Sequence, residues 1–205
     1  MNAYSYLNDG ALIYARSRSI IEAETGLSVV PETLREVAVR LVHSCGMTDV
    51  VEDLDASPGA VAAGRRALAC GAPVLCDVDM TARGIITRLL PAQNRVVCTV
   101  HTSRVRHHAK RSATTRSWAA ADLWGGMLED AVVAIGNAPT ALYRVLEKAQ
   151  DVRPALVVGM PVGFVGAAEA KRALAESGLD YITVHGRRGG SAMTAAAVNA
   201  LHGTL

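Results

Sequence analysis

Val133-Ala134-Ile135-Gly136-Asn137-Ala138-Pro139-Thr140-Ala141-Leu142 is the stretch on which the fold turns. Its first residues end a nearly continuous apolar run, 131–135, of the kind carried by strands covered on both faces. Gly136 to Thr140 is turn chemistry, and a helical segment over 140–150 follows. Strand, glycine turn and helix in that order form half of a parallel crossover unit. The same alternation recurs on both sides. Short apolar runs rich in β-branched residues occupy 74–78, 96–100, 155–158 and 181–184, with helical segments at 117–128, 167–177 and after Ser191. Upstream lie three helices: 11–24, one opening at Pro31 and ending before Gly46, and one opening at Ser57-Pro58 and stopping at Gly71. The pattern predicts an α/β fold with a doubly wound, mainly parallel five-stranded sheet, helices on both faces and helices preceding it. One domain over residues 1–205 is expected.

The composition agrees. Half of the 205 residues are hydrophobic but only 4% are aromatic, so the core is built from Ala, Val, Leu and Ile. A net charge of +2 excludes a global pull towards nucleic acid or an anionic membrane. No run of about 20 apolar residues is available to span a bilayer, and residues 1–10 carry no apolar signal core. The four cysteines (Cys45, Cys70, Cys76, Cys98) form no C-x-x-C pair and read as reduced, mostly buried thiols of a cytoplasmic protein.

Ligands of open α/β sheets bind beyond the carboxyl ends of the strands. Three loops there are distinctive: Gly136 to Thr140, Gly159 to Gly166, and His185 to Ser191. Their glycines permit close backbone approach, and free N–H groups at the following helix starts favour a carboxylate or phosphate. Neither G-x-G-x-x-G nor the phosphate-loop motif is present, so no dinucleotide fingerprint exists. Taken singly, each loop reads equally well as ordinary turn chemistry.

Three side chains stand out. His43, late in the second helix, points away from the stripe Leu34, Val37, Ala38, Leu41, Cys45. A solvated histidine completing the helix dipole explains it; a catalytic one needs a loop or a second subunit to cover that face. Ser17 shares a stripe with Ile13 and Ile20 and is expected to face inward. Arg116, at the start of a helix after Thr115, is an unfavourable charge for the dipole unless a bound carboxylate offsets it. The cluster Arg104, Arg106, His107, His108, Lys110, Arg111 reads as a solvated loop over 101–113, or as a collector of an acidic ligand. Two adjacent histidines do not make a metal site, and none is expected.

Several segments together resemble the precorrin-8X methylmutase family of cobalamin (vitamin B12) biosynthesis. They are Val42-His43-Ser44-Cys45-Gly46-Met47, Ala72-Pro73-Val74-Leu75-Cys76-Asp77, Thr115-Arg116-Ser117, the ten residues quoted at the outset, GMPVGFVGAAE from Gly159, and GGSAMTAAA from Gly189. They run in order through nearly the whole chain. The resemblance implies a homodimeric α/β isomerase without a cofactor, with ligand sites near the subunit interface. It would move a methyl group from C11 to C12 of the macrocycle and give the corrin hydrogenobyrinate. The family's catalytic histidine falls on His43, and its ligand-contacting serine and arginine on Ser17 and Arg116. Substrate-binding roles are expected for Ser17, Arg116, Thr115, Gly136, Asn137, Gly163, Gly166, Arg188, Gly189 and Ser191. Two departures are Arg18, where the family has an aromatic residue, and the basic segment 101–113.

A flat ring with many acetate and propionate arms calls for a broad cavity, apolar walls and several cationic or amide donors. Protonating a ring nitrogen beside the migrating methyl favours the rearranged π-system, and histidine is suited to donate near neutral pH. Other readings are a cobalt-precorrin-8 methylmutase, a non-catalytic tetrapyrrole-binding protein, and a phosphate- or nucleotide-using α/β transferase. Missing phosphate-loop and acidic metal-ligand motifs speak against the last.

Overall fold

The computed structural model describes residues 4–202; the ends of the expected 1–205 domain, residues 1–3 and 203–205, lie outside the described part. Three helices open the chain, α1 (Gly10–Glu24), α2 (Arg35–Cys45) and α3 (Ala60–Ala69), with the short strand β1 (Leu54–Ala56) before α3. Then come β2 (Val74–Cys76), α4 (Asp79–Gly84), β3 (Val96–Cys98), α5 (Ser103–Arg111), α6 (Arg116–Asp122), β4 (Val132–Ile135) and α7 (Pro139–Lys148). The chain closes with β5 (Leu156–Gly159), α8 (Ala167–Ala175), β6 (Tyr181–Val184) and α9 (Ser191–Ala200).

These strands form one sheet in the order β1-β6-β5-β4-β2-β3. β6, β5, β4, β2 and β3 are parallel neighbours, and β1 pairs antiparallel with β6, Leu54 opposite Val184. The sheet therefore has six strands, not five. Leu54-Asp55-Ala56 lacks the β-branched apolar run that marks a strand covered on both faces, because it is a half-buried edge strand: Leu54 and Ala56 pack on the core, while Asp55 bonds Tyr181 and His185.

Alternation along the strands makes two cores. Val74, Cys76, Val132, Ala134, Leu156, Val158, Ile182 and Val184 face α2, α3 and α9. Leu75, Val133, Ile135 and Val157 face α7 and α8 on the other side. Each fully buried Val, Leu or Ile contributes about 1.5–3 kcal/mol. A smaller cluster, Val105, Ala109, Ala119 and Ala120, joins α5 to α6.

The basic segment is thus not a loop. α5 is a helix capped by Thr102, which accepts from the Val105 N–H, and its buried Val105 and Ala109 are four apart. Its inner anchor is His108, whose Nε2 lies 2.6 Å from Asp122 Oδ2; Asp122 also accepts two bonds from Arg144, at 2.9 and 2.6 Å. Arg144 in turn stacks on Trp118, 4.7 Å from the ring centroid. Burial alone would push the Asp122 carboxyl up, but the Arg144 and His108 bonds outweigh it and hold it below the usual carboxylate range. Stability from such a group is present above its unfolded pKa and is lost as pH falls through the folded one. Asp122→Asn is therefore expected to lower the urea midpoint at pH 7 but to leave it nearly unchanged from wild type in strong acid. Equal losses at both pH values would contradict the linkage.

The thiols are less buried than expected. Only Cys76 is buried, Cys70 is exposed, Cys45 and Cys98 are intermediate, and all four are free.

Candidate active site

α2 ends cleanly because Gly46 takes the left-handed conformation, φ 70°, and its N–H bonds to the Val42 carbonyl. Leu41 and Val42 enter the core, which turns His43 outward, as its position opposite the apolar stripe predicts. α1 lies across that face. Ser17 Oγ is 3.1 Å from His43 Nδ1, and the Tyr14 and His43 ring centroids are 5.7 Å apart. Arg18 fastens the two helices. It bonds Glu22 on α1 at 2.8 Å and Glu36 on α2 at 2.9 Å, so this departure from the family pattern holds the face that carries Ser17.

Ser17's apolar neighbours do not face inward. Ile13 and Ile20 are each 46% exposed, and of α1 only Ile21 is buried. They line an open groove of about 330 Å³ with Leu7, Arg16, Ser17 and Ile21. The helical period correctly identifies one face; nothing in this chain's described residues covers it.

At the opposite face of the sheet, Thr115 caps α6 by accepting from the Trp118 N–H at 3.1 Å and pairs with Thr140 Oγ1 at 2.8 Å. Arg116 is the first residue of α6. It is exposed and has no acidic partner within salt-bridge distance among the described residues. Arg116 and the Ser17–His43 pair thus attach to opposite faces of one sheet.

The crevice where ligands of open α/β sheets usually sit lies between β2 and β4, where the strand order reverses. Here it is filled from within. The buried Asp77 carboxylate accepts N–H bonds from Gly136 at 3.1 Å and from Asn137 and Ala138 at 2.8 Å, and the Thr81 hydroxyl at 3.3 Å. Burial pushes this carboxyl up while the amide donors pull it back. The anion expected at this turn is the protein's own. Gly136 is buried; a Cβ there would lie 2.7 Å from Ser191 Cα. Ser191 is also buried, with its Oγ 3.0 Å from Thr81 Oγ1. Neither Gly136 nor Ser191 is open to a ligand, whereas the Asn137 side chain is exposed.

Arg188 is likewise occupied. Its guanidinium bonds Asp49 at 2.7 Å and Asp53 at 2.6 Å, closing the β6–α9 loop onto the segment that follows His43's helix. The wholly buried Lys171 donates to the Arg188 carbonyl at 2.6 Å, and burial lowers its ammonium to about 8. Gly189, at φ 150°, sits under the Met160 carbonyl. Gly163 (φ 151°) donates to the Arg187 carbonyl at 3.2 Å, and Gly166 (φ 77°) opens α8. Between them Phe164 and Val165 are 84% and 88% exposed, with Arg187 stacked 5.2 Å from the Phe164 centroid. Asp77, Thr140, Phe164 and Val165 lie in segments quoted from the sequence but were given no individual role there; an acid directly after an apolar strand is a signal that marks Asp77.

Fold and site together define an α/β enzyme whose switch-point crevice is closed and whose open polar groups lie along its rim. The precorrin-8X methylmutase family model matches residues 12–204, and the chain belongs to that family, isomerases of cobalamin biosynthesis. It is 54% identical to a Pseudomonas aeruginosa precorrin-8X methylmutase over 200 residues, 96% of each chain. It is 50% identical to a precorrin-8X methylmutase of a Sinorhizobium species over 205 residues, 98% of each. A solved Thermus thermophilus precorrin-8X methylmutase superposes with a TM-score of 0.87 at 38% identity, covering 94% of this chain and 95% of that one.

Proposed function

We propose that this chain catalyses migration of a methyl group from C11 to C12 of precorrin-8X, giving hydrogenobyrinate, with His43 donating the proton to the macrocycle edge. The observation that carries the proton role is the Ser17–His43 bond. It holds Nδ1 at 3.1 Å beside an apolar groove and leaves Nε2 for the ligand. Substrate and product are isomers, so the step needs no net oxidant, reductant or group donor, and no cofactor is invoked. The exposed guanidinium of Arg116 suits a carboxylate arm of the substrate, with Thr115, Asn137 and the 163–166 loop beside it. The metal-free substrate is favoured over cobalt-precorrin-8 by the names of the two relatives at 50% identity or more.

We infer that the chain works as a homodimer, a reading that the same geometry supports. The groove beside Ser17 is at the small end for even a drug-sized ligand, roughly 300–1,000 Å³, and a many-armed macrocycle is larger. Apolar side chains on α1 and at 162–165 are open, as surfaces awaiting a partner are. A second copy covering α1 closes the groove and brings a second rim towards His43. No helix of the described residues is long and apolar enough to cross a membrane; we place the enzyme in the cytoplasm, working as one domain per chain.

The test is direct. Purified protein incubated with metal-free precorrin-8X should generate an orange-red corrin spectrum with nothing added; an unchanged spectrum sinks the proposal. Arg116→Ala should raise the dissociation constant for hydrogenobyrinate at least about tenfold, the size of a lost charge-assisted bond. An unchanged constant would mean that Arg116 does not hold the ligand.

A further inference from the structure

Asp77 and Thr140 stand between the closed crevice and Arg116, and no part of the reaction described so far uses either. Both Asp77 oxygens are filled. Oδ1 accepts from Gly136 N–H and the Thr81 hydroxyl, Oδ2 from Asn137 N–H and Ala138 N–H. Three consecutive amides on one buried carboxylate leave the turn after β4 a single position. α7 begins at once, with Pro139 as its first residue and Thr140 as its second. The Thr140 hydroxyl then meets the Thr115 hydroxyl at 2.8 Å, one donating to the other. Thr115 is the residue on which α6 starts, and the next residue is Arg116.

We propose that Asp77 and Thr140 are positioning residues for Arg116: the buried carboxylate fixes the turn after β4, and the Thr140–Thr115 pair transmits that position to the base of the Arg116 side chain. The inference rests on the reading of Arg116 as a substrate-binding residue. An exposed guanidinium with no acidic partner among the described residues is aimed only by the backbone that carries it. A long side chain rooted at a displaced helix start loses the alignment that bidentate carboxylate binding needs.

Thr140→Val keeps the β-branched shape, leaves the Thr115 cap in place and removes only the hydroxyl. Its dissociation constant for hydrogenobyrinate and its KM should rise about three- to tenfold, the range of one net hydrogen bond, with kcat little changed. Thr140→Ser should restore both. In an Arg116→Ala background the Thr140→Val effect should vanish, because nothing is left to aim. Asp77→Asn, which turns an amide –NH2 towards two N–H donors, should do more of the same if it folds; Thr140→Val decides the matter if it does not. Additive losses in the double variant, or failure of serine to rescue, overturn the proposal while leaving Arg116 a ligand residue. An Arg116→Ala chain that binds like wild type overturns both readings.

Discussion

His43→Ala is expected to fold and to bind the corrin, yet to lose turnover by about 10²–10⁴-fold, the usual contribution of a positioned proton donor. The stability side is settled by placement. The imidazole is exposed at the end of α2, and the neighbouring Leu41 and Val42 make the core contacts, so truncation opens no cavity. The expected loss of turnover rests on orientation. A histidine free to rotate is a poor donor; here Ser17 fixes Nδ1 at 3.1 Å and the Tyr14 ring lies alongside, with Arg40 stacked 5.7 Å from the Tyr14 centroid. If the serine hydroxyl donates to Nδ1, the neutral ring carries its proton on Nε2, where an acid needs it; in the imidazolium the serine accepts and Nε2 still carries a proton. Either form leaves a proton on Nε2. Single-turnover absorbance with stoichiometric substrate reads the chemical step apart from product release. Wild-type rates in that variant would remove the proton from His43 and require another donor.

The parallel strands and most helices are written in the sequence because burial on two faces and helical spacing leave local marks. Most of what escaped had non-local causes. Leu54–Ala56 became a strand only because β6 offered an edge. Charge hid the helix at Ser103–Arg111, although the Val105 and Ala109 spacing was there to be counted. The stripe of Ser17 reported which face of α1 is apolar but not that none of the described residues covers it. The glycine turn at Gly136 was read as a cradle for a ligand anion; the anion is Asp77, brought across from the end of β2 by the sheet order. Arg188 was read as a free donor because nothing in its own segment shows that Asp49 and Asp53 fold back onto it. Residue types carrying chemistry were visible throughout. Which of them spend that chemistry on one another was decided by pairings distant in sequence.

Gly189→Ala is expected to be the most destabilising single-methyl addition at the rim. The position has φ 150°, where side chains are strained, and an added Cβ would stand 2.2 Å from the Met160 carbonyl oxygen and 3.0 Å from its carbon. Both are backbone atoms, and that oxygen already accepts the Gly190 N–H at 2.8 Å. No rotamer change relieves the overlap; the loop or β5's end must move. Movement there is resisted on both sides, by Arg188 in its double aspartate clamp and by α9, which packs against α2. The loss should reach at least about 3 kcal/mol, a fall in Tm of roughly 6–12 °C for a domain of this size. Gly186→Ala provides the comparison within the same loop. Its φ of 73° is also left-handed, but an added Cβ there meets nothing within 4 Å, so only the backbone cost of about 1–2 kcal/mol remains. Calorimetric melts of the two variants should therefore separate steric from conformational cost. If Gly186→Ala proved the more damaging, the close approach of Gly189 to Met160 could not be what holds this loop in place.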